Sequence, residues 1–189
     1  KTSAFLDYSY QITEGNSVTS GSFYFNALTL EEEEKKIVPL NWDQRHVMSA
    51  TLTINEPGKW AISFIGKLAH GWPYTPNIPF ANYVPTPNSS RKPWQKNVNV
   101  RVHKNQNLGR INMNLVMKIY NLFDTRNERY VFDDTGRAGY TFVNRSSQET
   151  EAFINHYGEP GVHRWEEYQT RPYYYSAPRS VQVGLSVDF

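Results

Sequence analysis

Gln182-Val183-Gly184-Leu185-Ser186-Val187-Asp188-Phe189 is an unbroken alternation of polar and apolar residues. Extended back by two positions, it sets Val181, Val183, Leu185, Val187 and Phe189 on one face and Ser180, Gln182, Gly184, Ser186 and Asp188 on the other. Period two is the signature of a β-strand between two unlike environments. Either a protein core or lipid meets the apolar face. The first gives a soluble β-domain and the second an outer-membrane barrel.

Five further segments repeat the pattern. Ala4, Leu6, Tyr8, Tyr10 and Ile12 oppose Phe5, Asp7, Ser9 and Gln11; Met48, Ala50, Leu52 and Ile54 oppose Val47, Ser49, Thr51 and Thr53. Trp60, Ile62, Phe64 and Leu68 oppose Ala61, Ser63 and Lys67, and Val98, Val100 and Val102 oppose Asn99, Arg101 and His103. Ile111, Met113, Leu115, Met117 and Ile119 oppose Asn112, Asn114, Lys118 and Tyr120. Strands are therefore expected at about 4–12, 46–54, 59–68, 97–104, 110–121 and 179–189, with no helix.

The connections separate the two environments. Asn55-Glu56-Pro57-Gly58 and Asn105-Gln106-Asn107-Leu108-Gly109 are short turns carrying Gly or Pro. The other three connections, roughly 13–45, 70–96 and 122–178, are long, so short and long turns alternate. Structureless loops of that length count against a compact soluble domain, whereas outer-membrane barrels have short periplasmic turns and long external loops. The expected fold class is thus all-β: an antiparallel transmembrane β-barrel portion of six strands with three long extracellular loops.

Composition permits this without requiring it. The 39% hydrophobic and 20% charged content suits many soluble proteins, and barrel strands escape a search for apolar helices. Aromatics reach 15%, with 13 Tyr and 5 Trp, which fits interface girdles or ligand-facing loops. The absence of cysteine excludes disulfides, thiolate metal sites and Cys nucleophiles. A dispersed formal charge of +2 argues against nucleic acid as a partner. No secretory signal begins at Lys1, so the chain is expected to be processed or part of something longer. Asp7, Lys67, Arg101, His103 and Lys118 all fall on polar faces, where a wet lumen or a polar plug would solvate them.

Several stretches resemble the carboxyl-terminal barrel of TonB-dependent outer-membrane receptors. They are Pro39-Leu40-Asn41-Trp42-Asp43-Gln44-Arg45-His46 before a strand, Gly71-Trp72-Pro73-Tyr74-Thr75-Pro76 in a loop, Tyr120-Asn121-Leu122-Phe123-Asp124 ending a strand, and Pro178-Arg179 before the last one. Gln182, Gly184, Val187 and terminal Phe189 are similar to the signal read by the barrel-assembly machinery. The resemblance implies a barrel of about 22 strands around an amino-terminal plug, driven by the TonB complex, in the outer membrane of a Gram-negative bacterium. It implies import of a scarce ligand: siderophore, haem, cobalamin, glycan or peptide. Plug, TonB box and the earlier strands are absent from these residues. The chain is therefore expected to be the last portion of such a receptor, with outer-membrane lipid and the remaining strands and plug as its partners.

No nucleophile elbow, acid–base carboxylate pair or metal motif occurs, so no enzyme, cofactor or metal is expected. Glu31-Glu32-Glu33-Glu34 with Lys35-Lys36 reads as a solvated loop, Asp133-Asp134-Thr135-Gly136 as a turn, and His156, His163, Glu159, Glu166 and Glu167 as loop surface. Two loops carry clustered aromatics: Trp72, Tyr74, Phe80 and Tyr83, then Trp165, Tyr168, Tyr173, Tyr174 and Tyr175. They are candidates to stack on a ligand, with loop anchoring or an outer girdle as the competing role. The alternatives to a receptor are a soluble β-sandwich module binding carbohydrate or acting as an adhesin, and a non-transporting accessory barrel.

Overall fold

The computed structural model describes residues 1–16, 28, 36–79, 85–142 and 171–188. Ten strands occur among them: β1 (Thr2–Tyr10), β2 (Glu14–Gly15), β3 (Val38–Pro39), β4 (His46–Glu56), β5 (Trp60–Ala69), β6 (Pro73–Tyr74), β7 (Ser90–Arg91), β8 (Gln95–Leu108), β9 (Ile111–Tyr120) and β10 (Ser180–Asp188). The fold is all-β, and helical structure among the described residues is confined to the 3₁₀ turn Pro172–Tyr174 and the single residue Leu28. The six long strands form one antiparallel sheet in the order β1-β4-β5-β8-β9-β10. The pairs β2-β3 and β6-β7 are two-residue ribbons outside it.

The sheet does not close among the described residues, since β1 and β10 each have one neighbour. Two further boundaries differ from expectation. The first strand ends at Tyr10, one residue before a last in-register bond from Gln11 N–H to the Arg45 carbonyl at 3.1 Å. The stretch Asn105–Leu108, expected to be part of a turn, continues β8, and each of its residues pairs with β9. The actual turn is Gly109-Arg110. Only Gly109 has a positive φ (74°), as the first central position of a type II′ turn requires. Pro57-Gly58 is a type II turn, with φ 78° at Gly58 and a 3.0 Å bond from Lys59 N–H to the Glu56 carbonyl.

Register carries the period-two pattern across the whole sheet. Ala4, Leu52, Phe64, Val100, Ile119 and Val181 form one transverse row on the same face. The next row toward the short turns is Thr2, Ile54, Ile62, Val102, Met117 and Val183. These rows are apolar apart from Thr2. The opposite face carries Ser3, Thr53, Ser63, Arg101, Lys118 and Gln182 in the matching row.

On β4 exposure is inverted relative to a soluble domain, whereas on β8 the apolar-face Val100 is buried and the polar-face Arg101 exposed, and β1 and β10 are exposed on both faces. Along β4, Met48, Ala50, Leu52 and Ile54 are exposed while Ser49, Thr51 and Thr53 are half-buried. In β10 the apolar Val181, Val183 and Leu185 are 57%, 67% and 58% exposed. The buried apolar residues described are few: Val38, Ala69, Val100, Val131 and Ala138. No second sheet covers the apolar face among the described residues, as packing of two sheets in a sandwich would demand. Burial of apolar side chains therefore does little here, and the backbone ladders hold the sheet together.

Candidate functional site

Above the long-loop end of the sheet, three hydrogen-bonded knots draw the connections into a crown. The first centres on Asp43, which is fully buried. Arg91 donates to its Oδ2 and, at 2.7 Å, to its backbone carbonyl; Arg45 Nε donates to Oδ2 at 3.3 Å and Thr13 N–H to Oδ1 at 3.0 Å. Arg45 also pairs with Glu14 at 3.3 Å. Burial alone would raise the Asp43 carboxyl, but the Arg91, Thr13 and Arg45 donors outweigh it and hold it below the ordinary carboxylate value. One ion thus ties the β1 exit, the approach to β4, and β7 together.

Asn121 is the second knot. Its φ of 52° lies in the left-handed region, which Asn tolerates better than most residues. Its amide nitrogen donates to the carbonyls of Thr125 (3.1 Å) and Ala177 (3.0 Å), and its oxygen accepts from Thr125 N–H at 2.9 Å. Asp124 accepts from Arg179 N–H at 2.8 Å. The Asn-Leu-Phe-Asp turn and the Pro178-Arg179 approach are thereby joined across the foot of a long connection. Third, Asn127 exchanges two 2.8 Å bonds with the backbone of Lys96.

Beneath this crown, on the polar face, lies a cavity of about 510 Å³. Its floor is Lys67, Asn97, Asn99, Tyr120 and Ser180, and its walls include Gln44, Trp72, Lys92 and Arg129. Lys96 contributes at the rim, and no Asp or Glu among the described residues lines the space. Burial lowers the Lys92 ammonium below its ordinary value, against an opposing pull from Asp133. Its Nζ donates to the Arg129 carbonyl at 3.2 Å and lies 5.5 Å from the Tyr130 ring centre. The buried Oδ1 of Asn97 has no hydrogen-bond partner among the described residues.

On the apolar face at the same end sits a ring cluster. His46 lies between Tyr8 and Trp94, its ring nearly parallel to both at 6.2 and 6.0 Å, and Tyr8 Oη lies 2.9 Å from His46 Nδ1. Tyr10 and His70 complete it at 5.0 and 5.7 Å from His46. Burial, followed by the charges of Arg91, His46 and Arg45, pushes the His70 imidazole below its ordinary value, and Asp43 opposes this.

Asp7, Lys67, Arg101, His103 and Lys118 all stand on the polar face. They do not form one site: only Lys67 lines the cavity, and Arg101 and Lys118 face one another a row further toward the short turns. The aromatic candidates divide. Trp72 is exposed and lines the cavity. Tyr74 belongs to β6, with its hydroxyl against Gly136. Tyr174 packs on Phe132 and Tyr130 at 5.2 and 5.8 Å and accepts a 2.6 Å bond from Arg171. Tyr175 bridges to Glu128 through its backbone. These two anchor the crown, while Tyr173 is largely exposed. Phe80, Tyr83, Trp165, Tyr168 and Phe189 lie outside the described residues, as do the Glu31–Glu34 run and His156, His163, Glu159, Glu166 and Glu167. Gln182 and Gly184 stand on the polar face of β10 and Val187 on the apolar one.

The Asp133–Gly136 stretch is a turn, with φ 67° at Gly136 and Asp134 accepting from Thr141 at 2.7 Å. No group of three His, Asp or Glu side chains suited to a metal occurs among the described residues. Sequence reading missed Lys92, Arg129 and Asn97 as cavity residues, and the Tyr8–His46–Trp94 cluster. For the cluster a signal was present, since Tyr8 and Tyr10 end one strand and His46 begins its partner. No protein-family model, curated protein or solved structure matches this chain.

Proposed function

We propose that this chain supplies part of the barrel wall of a TonB-dependent outer-membrane receptor that imports a scarce ligand. The observation that carries the reading is the continuous apolar face running through all six strands, which no second sheet covers among the described residues, backed by a polar face. In water that arrangement leaves the hydrophobic side chains unburied; in lipid it is the favourable one. Five of the six long strands have 9 to 11 residues, the roughly 9–11 that a tilted membrane strand needs, and β8 with 14 exceeds it.

The apolar band has edges in keeping with this. On β8, Lys96 and Lys104 share the apolar face with Val98, Val100 and Val102. At ~3.3 Å per residue the two lysines stand about 26 Å apart along the strand, or about 20 Å along the normal at ~40° tilt. Their stems are long enough to carry the ammonium groups past a band of that height. Tyr8, Tyr10, His46 and Trp94 occupy the outer border and Trp60 the inner one, the positions that amphipathic rings favour. The open edges of β1 and β10 would pair with further strands, because hydrocarbon does not tolerate unpaired backbone.

Fractionation tests the reading. The full-length protein should be recovered with outer membranes and should migrate differently in SDS gels before and after boiling. Its ligand uptake should stop when the inner-membrane proton gradient is collapsed. Recovery as a monodisperse soluble protein without detergent would overturn the proposal.

A further inference from the structure

Resting on the reading of the apolar face as lipid-facing, a groove in that face has an occupant of definite chemistry. The groove encloses about 400 Å³ toward the long-loop end of the sheet, within the ~300–1,000 Å³ of ordinary small-molecule sites. Its floor is Ala50, Gly66 and Val98, which register places side by side across β4, β5 and β8. Met48 and Leu68 stand in the next row toward the loops, and Phe123, 70% exposed, lines the groove from beyond the end of β9. Small residues between larger neighbours make the depression.

Among the described residues, nothing requires glycine at position 66. Its φ is not positive, and a Cβ there would meet only the Ala50 carbonyl oxygen, at 3.9 Å. Glycine inside a strand weakens it and commonly marks close approach by another group. Here that group comes from outside the sheet, since Gly66 forms part of the groove floor. The surroundings specify it. Lys96 lines the groove directly opposite Leu68 and is exposed on the apolar face. One row further toward the loops, His70 donates its N–H to the His46 carbonyl at 2.8 Å, and the Trp94 ring lies 4.8 Å from that of His70. An apolar trough that leads to a cation and then to amphipathic rings follows the order of a lipid from tail to headgroup. We infer that the groove holds one acyl chain of a phosphate-bearing lipid from the leaflet on the long-loop side, with Lys96 against its phosphate. The imported ligand would pass along the opposite, polar face, so the lipid site is separate from the transport path.

Native mass spectrometry of the full-length protein in detergent, loaded with dioleoyl phosphatidic acid, dioleoylglycerol or glycerol 3-phosphate, separates chain from charge. Phosphatidic acid should bind about fivefold or more tightly than dioleoylglycerol, the factor that one lysine near an anionic lipid supplies. Glycerol 3-phosphate, which has no acyl chain, should not bind. Lys96→Gln should abolish the difference between the two lipids and Lys96→Arg should keep it. Gly66→Leu fills the trough and should weaken both lipids by about tenfold, the equivalent of roughly two buried methylenes. Equal affinity for the phosphate-bearing and the neutral lipid overturns the inference, as does unchanged binding in Gly66→Leu. Selectivity for phosphatidic acid that survives Lys96→Gln places the phosphate elsewhere and overturns it as well. Heat-modifiable migration of each variant reports separately on the barrel, so a folded barrel that binds neither lipid selectively sinks this inference alone.

Discussion

Arg101 stands directly opposite Lys118 across the β8–β9 pair, on the polar face, and neither side chain has an anionic partner among the described residues. Directly paired strand positions place Cβ atoms about 4.5–5.5 Å apart, where like charges destabilise a sheet by some tenths of a kcal/mol. Such a pair is favourable only when a third group neutralises it. In the receptor reading that group is a carboxylate of the plug.

Lys118→Glu therefore separates two cases. If the plug supplies the counter-charge, this variant of the full-length protein should loosen the plug, seen as faster limited proteolysis and earlier urea release. A gain in stability of about 0.5 kcal/mol, the value of a new cross-strand ion pair with Arg101, would show instead that nothing faces the two cations.

The two faces should respond oppositely to one added charge. Leu52→Arg places it on the apolar face in the middle of the sheet, where lipid would impose about 2–4 kcal/mol. Thr51→Arg, one residue earlier and on the polar face, should cost less than about 1 kcal/mol. Folding into lipid vesicles followed by urea titration measures both, and equal costs would count against a lipid-facing surface.

Asp43 should govern the acid stability of the crown. Its folded-state pKa lies below the ordinary 3.8. Its contribution is thus complete above that value and is lost as the pH falls through the lower, folded-state value. His70 acts in an earlier window. Its folded-state pKa lies below the ordinary 6.5, so the unfolded crown takes up its proton first and stability begins to fall as the pH drops under 6.5. Proteolysis of the outer loops across a pH series should show two steps, and His70→Gln should remove only the first. Asp43→Ala leaves Arg91 without its buried partner and should destabilise the crown by on the order of 3 kcal/mol at neutral pH.

Asn121 combines a left-handed backbone with three side-chain bonds, and two substitutions separate the contributions. Asn121→Gly keeps the backbone and removes the bonds, at an expected cost of about 2–3 kcal/mol. Asn121→Ala adds roughly another 1 kcal/mol of backbone strain. Hydrogen exchange at Thr125, whose N–H bonds to the Asn121 side chain, would report both.

The strands and their faces were legible in the sequence because alternation is local: each side chain's face follows from its parity alone. β10 and β4 were plain on this ground. The end of β8 was not, since Asn105 and Asn107 are turn formers by type, and pairing with Asn114 and Asn112 of β9 overrides that preference. The Tyr120–Asp124 stretch was recognised as a motif, but its purpose depends on Ala177, which lies 56 residues beyond Asn121.

Sequence by itself determined that the chain is all-β, that its long strands each have one apolar and one polar face, and that tight turns alternate with long connections. Tertiary structure alone decided that no second sheet covers the apolar face among the described residues, that Asp43 meets Arg91 from 48 residues away, and that Lys67, Lys92 and Arg129 line one cavity. The reason is physical. Side-chain parity is set by backbone geometry over neighbouring residues, whereas exposure and convergence depend on cross-strand register and on hydrogen bonds between segments that composition and periodicity do not relate.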